Sequence, residues 1–350
     1  MTITANTTGI GSLPHHNIDA ALAYSFQMGI PFLPQIPIRN RWEFMIAQAL
    51  EGLPGLRVEE DGSVLLQTEI WSAREAGLSQ KLDRAFSAAE KPAAFEEFEP
   101  SSASSSCWQP FVWEIEERAF AHAKIQIAGP LTCQWALRTR EGHSIEGTSE
   151  IASQIFRLVL ARAIAMSRRL KNSGVQPLLF LDEPGLYTLD LANPKHLLAF
   201  NELKLLIQTL RKEGVLVGLH CCSNTNWKAV LGLGIHFLSV DTSFSLDHLF
   251  AEASDSLKVF IRGGGKLSLG AVPTVRSNLL KTLTGAELFA RLLETFGKAW
   301  AGDVDLIRKV LRESILTPAC GLALHSTADA ETVLALVTDL ERLRNESLEK

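Results

Sequence analysis

The sequence predicts an α/β protein built as a (β/α)8 barrel, because short apolar runs alternate with longer helical segments along most of the chain. Such runs are typical of parallel strands that are buried on both faces. A length of 350 residues accommodates eight βα units and an insertion. The alternative is an open doubly wound sheet, but the first βα turn has only Gly9 and Gly11 and lacks the third glycine of a dinucleotide-binding loop. The eight predicted strands begin near residues 7, 30, 125, 178, 215, 237, 267 and 315.

The first third of the chain has the least regular pattern. Residues 7–12 predict a short strand, and Asn17 is the predicted N-cap of a helix that ends near Gly29. The second strand, 30–38, contains three prolines and should have irregular edges. A helix over 39–50, a hairpin arm over 64–70, a helix over 73–98 and a serine-rich loop at 100–106 follow. We therefore predict one domain over 1–350, with an insertion at about 71–120 before the third strand.

The rest of the chain alternates regularly between strand and helix patterns. Each predicted strand ends at a residue that breaks the apolar run, and most are followed by a helical segment. The predicted helices cover about 149–171, 194–212, 285–312 and 328–348.

Composition narrows the class of protein. Hydrophobic residues make up 46% and charged residues 21% of the chain, as in ordinary globular proteins. A net charge of −5 gives no reason to expect a nucleic-acid partner or an anionic membrane surface. The sequence has neither a signal-peptide pattern nor an apolar run of about 18 residues. Five scattered cysteines indicate a reducing compartment, so we expect a cytoplasmic protein.

The ends of several predicted strands carry metal-ligating side chains. Side chains alternate along a strand, so His220 and Cys222 can project to one side while Cys221 points away. Functional residues of a (β/α)8 barrel lie at the carboxyl ends of its strands, where Asp241 and Cys320 also occur. Imidazole, thiolate and carboxylate are zinc ligands. The sequence therefore predicts a zinc site formed by His220, Cys222 and Cys320, with Asp241 as a possible fourth ligand.

Other polar residues at strand ends allow more than one interpretation. Asp182 and Glu183 could clamp a substrate ammonium group or could cap a loop, and Asp241 could cap the next helix instead of binding metal. The sequence predicts Cys221 as a core residue. Structural roles are also expected for the histidines without a convergent partner in the sequence, which are His15, His16, His143, His236 and His325.

The predicted ligand set favours one kind of chemistry. Three neutral histidines would leave zinc strongly cationic and suited to ionising water. Two thiolates cancel that charge, so the metal becomes a weak Lewis acid towards water but can still bind and deprotonate a thiol. The bound sulfur remains electron-rich. Such a site is better suited to S-alkylation than to hydrolysis.

At these residues the chain resembles the catalytic barrel of the cobalamin-independent methionine synthases. That family transfers a methyl group to the thiol of homocysteine bound on zinc. The likeness rests on six short motifs in matching order and rough spacing, which are Ile10-Gly11-Ser12, Gly129-Pro130-x-Thr132, Asp182-Glu183-Pro184, His220-x-Cys222, Ser239-x-Asp241-Thr242 and Cys320-Gly321-Leu322.

The resemblance implies roles for individual residues. His220, Cys222 and Cys320 would hold zinc, and Asp241 stands where the family has a glutamate ligand. Ser12 and its loop would bind the amino-acid carboxylate, and Asp182 would bind its ammonium group. The remaining implied contacts are the substrate-binding glutamate Glu43, together with Trp135 as an approximate match to the aromatic residue that stacks on folate.

The chain departs from the family at the seventh strand, where 271–275 supplies no histidine for proton transfer. No catalytic residue beyond the metal site is therefore predicted. The expected function is zinc-dependent methylation of homocysteine or another small thiol. The methyl donor would be methyltetrahydrofolate or a methylated corrinoid, free or carried on a corrinoid protein.

Two rival functions follow from the same fold. A barrel of the uroporphyrinogen decarboxylase type would need cationic residues for substrate carboxylates, and only Arg39 and Arg41 lie near a strand end. A non-catalytic zinc-binding or corrinoid-binding homologue would hold metal without turnover.

Overall fold

The computed structural model describes residues 6–145, 149–274 and 278–349. Its strands are β1 Leu56–Val58, β2 Val64–Leu66, β3 His122–Ala128, β4 Arg138–Thr139, β5 Gln176–Asp182, β6 Leu216–His220, β7 Phe237–Asp241, β8 Lys266–Val272 and β9 Ile315–Pro318. Its α-helices are α1 Ile18–Ser25, α2 Met45–Ala49, α3 Thr68–Ser87, α4 Trp108–Arg118, α5 Pro130–Ala136, α6 Glu150–Asn172, α7 Pro194–Lys212, α8 Trp227–Leu231, α9 Leu246–Arg262, α10 Gly285–Ala299, α11 Val304–Glu313 and α12 Thr327–Leu348. Short 3-10 helices cover Arg41–Glu43, Pro92–Phe98, Pro184–Thr188 and Asn278–Lys281.

A parallel sheet forms the centre of the molecule. Within the described residues it has six strands in the order β3-β5-β6-β7-β8-β9, and every neighbouring pair is parallel. Helices follow these strands, as right-handed βα crossovers require. The predicted α/β class and the six later strands are therefore confirmed.

The first two predicted strands do not form regular strands. Single parallel bridges join Thr7 to Leu316, Ser12 to Gln35, and Phe32 to Lys124. These bridges connect β9 at one edge of the sheet with β3 at the other, so the sheet must be curled. Prolines in the 30–38 run lack the N–H group that a ladder needs, which explains why pairing stays isolated there. The closed eight-stranded barrel is thus replaced by a curled six-stranded sheet.

Side chains replace part of the missing ladder. The buried Lys124 ammonium group donates to the Ile10 carbonyl, and the Gln126 amide donates to the Leu33 carbonyl over 2.8 Å. The Thr8 hydroxyl donates to the Ile30 carbonyl over 2.8 Å. These bonds satisfy backbone groups that would otherwise be buried without partners.

The inside of the curl is an apolar cluster of its own. Ile30 joins it from the irregular segment 30–38, and strands β5, β6, β7 and β9 supply the other members, which are Leu178, Phe180, Leu216, Phe237 and Ile315. A larger cluster fills the layer between the sheet and the helices. Polar side chains lie at the carboxyl end of the sheet, where Asp182, His220 and Asp241 end their strands.

A small second sheet lies outside the segment 71–120 that was predicted as an insertion. Strands β1 and β2 form an antiparallel hairpin that overlaps the predicted arm 64–70 only at Val64–Leu66, because helix α3 begins at Thr68, and β4 pairs with β2. Helix α3 ends before the predicted 73–98 segment does, because Pro92 begins a separate 3-10 helix. The predicted 285–312 helix is two helices, since the Asp303 side chain caps the start of α11.

No helix in the described part of the chain is long and apolar enough to cross a membrane.

Candidate metal centre and its cavity

Three predicted metal ligands come together at the carboxyl end of the sheet. One ligand atom from each of His220, Cys222 and Cys320 lies within 4.8 Å of the other two. His220 ends β6, and Cys320 follows the end of β9, which is three positions away in the sheet. The curl of the sheet brings these distant strand ends to one place.

His220 is held in the form that binds metal. Its Nδ1 lies 2.9 Å from the Ser239 hydroxyl oxygen, which leaves Nε2 for a metal. The side chain is buried, and burial followed by the charge of Lys124 lowers the pKa of His220 to about 4. The imidazole is therefore neutral at physiological pH, as a zinc ligand must be.

The two cysteines form a coupled pair. A hydrogen bond from Cys320 lowers the pKa of Cys222 to about 7, and the same hydrogen bond raises the pKa of Cys320. One thiolate is thus available near neutral pH. Cys221 is buried and donates to the Ser223 carbonyl over 3.1 Å, and burial raises its pKa to about 12.

The donor set fits zinc. One imidazole nitrogen and two sulfurs are soft ligands that zinc takes in tetrahedral sites, and three protein donors leave one position for an incoming group. A position of this kind distinguishes catalytic from structural zinc sites.

Asp241 does not belong to this group of ligand atoms. Its Oδ1 accepts the N–H groups of Ser243 over 2.7 Å and Phe244 over 3.1 Å, so the carboxylate caps the turn after β7. A short aspartate side chain readily bonds its own backbone two residues on. The structure therefore supports the capping interpretation of Asp241 rather than a fourth ligand.

Asp182 is presented to the cavity beside the candidate metal site. It pairs with His220 across the β5–β6 ladder, and its Oδ1 is buried without a hydrogen-bond partner. Burial raises the pKa of Asp182 to about 7, whereas the nearby Lys124 opposes this increase. A buried carboxylate oxygen without a partner is a place where a substrate donor can bind.

Glu183 lies elsewhere, although its neighbour in sequence lines the cavity. Its carboxylate accepts the N–H groups of Leu131 over 3.2 Å and Thr132 over 2.7 Å at the start of α5. A Cβ atom on Gly129 would lie 2.0 Å from Glu183 Oε1, so only glycine fits there. The predicted substrate contact of Glu183 does not agree with this position, because the side chain is fully buried against α5.

A cavity of about 370 Å³ opens above the three candidate ligands. Predicted site residues Ser12, Glu43 and Asp182 line it, and much of the remaining wall is apolar. The other lining residues are Ile10, Gln35, Pro37, Phe44, Met45, Pro184, His220, Cys222, Thr274, Cys320, Gly321, Ala323, Leu324 and His325.

Two of the predicted substrate contacts have defined partners. A Cβ on Gly321 would lie 2.1 Å from the Ser12 hydroxyl, so the glycine after Cys320 lets the Ser12 loop approach closely. Glu43 accepts the Ile36 N–H over 2.8 Å and the Ser106 hydroxyl over 2.6 Å, so its carboxylate also fixes the surrounding loops.

Trp135 lies in a different cavity. That cavity of about 220 Å³ also includes Arg138, Lys195 and His196, and the Trp135 ring centroid is 4.6 Å from that of His196. The structure does not bring Trp135 to the cavity of the candidate metal site.

Sequence reasoning missed three residues at this end of the sheet. Lys124 and Gln126 occupy alternate positions of β3, and the buried Lys124 donates to the carbonyl of Ile10, which lines the cavity. A polar pair at spacing two inside an apolar strand was a usable signal. His325 also lines the cavity. Its only signal in the sequence is that it follows the candidate ligand Cys320 by five residues.

Replacing Ser239 with alanine should weaken zinc binding about 10-fold to 100-fold, because hydrogen-bond partners of ligating histidines contribute about that much. Competition with a chromophoric chelator would measure the affinity. Ser268, the buried residue that pairs with Ser239 on β8, provides the matched control Ser268→Ala. Equal losses in both variants would contradict an orienting role for Ser239.

Comparison with known proteins yields fold-level likeness only. No protein-family model matches the chain, and no curated protein matches it. Among solved structures, a methyltransferase from Methanosarcina mazei is 16% identical with a TM-score of 0.46, and the match covers 71% of this chain and 65% of that one. A Listeria monocytogenes protein, provisionally described as a vitamin-B12 independent methionine synthase, is 18% identical with a TM-score of 0.44, over 68% of this chain and 69% of that one. This chain thus spans less than two thirds of the first structure, and likeness at this level assigns neither family nor activity.

Proposed function

We propose that this protein is a zinc-dependent S-methyltransferase that methylates a small amino thiol, with homocysteine as the substrate. The observation that carries the proposal is the group of one imidazole and two cysteine sulfurs at the floor of a cavity. An unpartnered carboxylate oxygen of Asp182 lines the same cavity. The motif resemblance to methionine synthases supports the same assignment. A reducing, cytoplasmic location belongs to the proposal, because free thiol ligands persist there.

His220, Cys222 and Cys320 would hold the zinc ion. When bound there, zinc lowers the pKa of a thiol ligand while two protein thiolates keep the metal weak towards water. Ser239 keeps the His220 ring oriented, and Cys221 stays outside the site in the core. Asp241 shapes the loop after β7 through its backbone hydrogen bonds.

The cavity walls suit an amino-acid thiol. Asp182 Oδ1 would accept a hydrogen bond from the substrate ammonium group. The Ser12 hydroxyl, held close to Gly321, would donate to the substrate carboxylate. Apolar side chains such as Ile10 and Met45 would contact the methylene groups between them.

The methyl group would arrive from the open side of the cavity. In an in-line displacement, the sulfur electron pair forms the new S–C bond while the bond between the methyl carbon and its carrier breaks, and that electron pair leaves with the carrier. Methyltetrahydrofolate and a methylated corrinoid, free or on a carrier protein, both remain donors in this proposal. Phe44 is the one aromatic ring, apart from the histidines, in the described cavity lining, so it is a better candidate than Trp135 for a donor contact.

A decarboxylase-type function receives less support. Such a reaction needs cations that grip substrate carboxylates, and the described lining of the cavity includes neither arginine nor lysine. The buried Lys124 is not part of that lining, and it donates to the Ile10 carbonyl and the Gln126 side chain.

The test begins with metal analysis of the purified protein and methylation assays with both donors. We expect one zinc ion per chain and conversion of homocysteine to methionine with at least one donor. A thiol of equal length without the amino group should have a KM about 10-fold to 100-fold higher, since a hydrogen bond to a charged group contributes about 1.5–3 kcal/mol. Zinc without turnover of any thiol would indicate a non-catalytic binding protein, and absence of zinc would refute the proposal.

A further inference from the structure

His325 lines the cavity from the loop between β9 and α12, five residues after Cys320. Two backbone hydrogen bonds hold this loop in place. The Leu322 N–H donates to the Ser12 carbonyl over 2.8 Å, and the His325 N–H donates to the Leu322 carbonyl over 2.9 Å. His325 is partly buried and lines the cavity. Its position is therefore set by the same segments that form the site.

A thiol that enters the proposed site must lose a proton. Two protein thiolates already neutralise the charge of a zinc ion, so the metal lowers the pKa of an incoming thiol less than a strongly cationic site would. A nearby proton acceptor would speed this step. Imidazole is the side chain whose ordinary pKa is nearest to neutral pH, which makes it the usual general base.

The other titratable groups of the cavity are already engaged. His220, Cys222 and Cys320 form the ligand group, and Asp182 is the candidate contact for the substrate ammonium. Both carboxylate oxygens of Glu43 accept hydrogen bonds from protein donors. The His325 ring, in contrast, makes no side-chain hydrogen bond within the described residues, and it remains available for a substrate.

We propose that His325 is the catalytic base that accepts the thiol proton when the substrate sulfur binds. The S–H bond breaks, the electron pair stays on sulfur, and a new N–H bond forms on the imidazole before the proton passes to solvent. This inference rests on the proposed function and gives it a specific proton acceptor.

His325 has acidic groups on both the cavity side and the helix side. Glu43, Asp182 and the thiol ligands share the cavity with it, and Asp329 in the first turn of α12 interacts with it electrostatically. Asp329 also accepts hydrogen bonds from Ser326. A bound thiolate would add another negative charge on the cavity side.

The test compares the wild type with His325→Gln and His325→Ala, each loaded with zinc. Rapid mixing with homocysteine in the presence of a pH indicator follows the release of the thiol proton. Below the thiol pKa of about 8.5, we expect this release to be about 100-fold slower in His325→Gln than in the wild type. Single-turnover methylation at pH 7 should be about 100-fold slower in both variants and should converge with the wild-type rate above the thiol pKa.

Two controls separate this proposal from the proposed function. Added imidazole should accelerate His325→Ala but not His325→Gln, and the exposed α9 residue supplies the matched variant His248→Gln, which should behave as wild type. A zinc content of the His325 variants equal to that of the wild type would exclude damage to the metal site. Wild-type proton release and wild-type pH dependence in His325→Gln would overturn the assignment of His325 while leaving the methyltransferase proposal intact. Failure of the wild-type protein to bind zinc or methylate a thiol would overturn the proposed function itself.

Discussion

Replacing Cys222 with serine should remove zinc and abolish methylation, whereas the same replacement at Cys221 should leave both intact. Cys222 contributes one of three clustered ligand atoms, but Cys221 is buried and bonds the Ser223 carbonyl. Loss of a ligand should weaken zinc binding by more than about 100-fold, because even outer partners of ligands contribute about 10-fold to 100-fold. Zinc content after dialysis and turnover of homocysteine measure the two effects.

Cys221 and Cys222 are adjacent in the sequence, so the two serine variants can be compared directly. Both variants change sulfur to oxygen on neighbouring residues, so differences in expression or general chemistry are minimised. Cys221→Ser can retain its hydrogen bond to Ser223 through the new hydroxyl. Equal zinc loss in both variants would show that the strand end is structurally fragile, and retention of zinc in Cys222→Ser would exclude Cys222 as a ligand.

Replacing Glu183 with alanine should lower the free energy of unfolding by about 3–5 kcal/mol. The change leaves the buried N–H groups of Leu131 and Thr132 without their acceptor and creates a cavity beside Gly129. Urea unfolding of the zinc-free protein measures the difference. Replacement of the exposed Glu60 with alanine is the control and should change stability by less than about 0.5 kcal/mol. A similarly small loss for Glu183→Ala would contradict its role at the start of α5.

The same residue should make stability depend on pH. Burial raises the pKa of Glu183 to about 7, and that of its neighbour Asp182 is raised as well. The folded protein therefore binds protons that the unfolded chain has released, so stability is greatest below the ordinary carboxyl pKa and falls as pH rises towards 7. Glu183→Gln should show a shallower decrease between pH 5 and pH 8. An unchanged slope would mean that other groups cause it.

Strand alternation explains both a success and a failure of sequence reasoning. At β6 it separated His220 and Cys222 from Cys221, and the structure brings the first two to one site. The same rule at the end of β5 separates Asp182 from Glu183, yet both residues were given the same two alternatives, a substrate contact or a loop cap. Alternation of side chains along the strand correctly predicts that Asp182 and Glu183 lie on opposite sides.

Other features depended on information that a single sequence does not carry. A carboxylate that follows a strand can bind a metal or can accept hydrogen bonds from the backbone of the next turn. Only the geometry shows that Asp241 accepts the N–H groups of Ser243 and Phe244. The prolines of 30–38 indicated irregular edges, but not that pairing would reduce to single bridges. Trp135 was assigned from the family resemblance and His325 from its lack of a convergent partner in the sequence, whereas cavity membership depends on how distant loops pack.

The meeting of Ser12 with Gly321 has a consequence for biosynthesis. These residues contact each other from near the two ends of the sequence, and Cys320 leaves the ribosome nearly a hundred residues after Cys222. At ordinary rates of synthesis, that interval lasts roughly 5–20 s. During it the nascent chain carries His220 and Cys222, which are two of the three candidate ligands. The candidate ligand group is therefore complete only after translation of the last strand, and a ribosome that stalls before codon 320 releases a chain that lacks its third member.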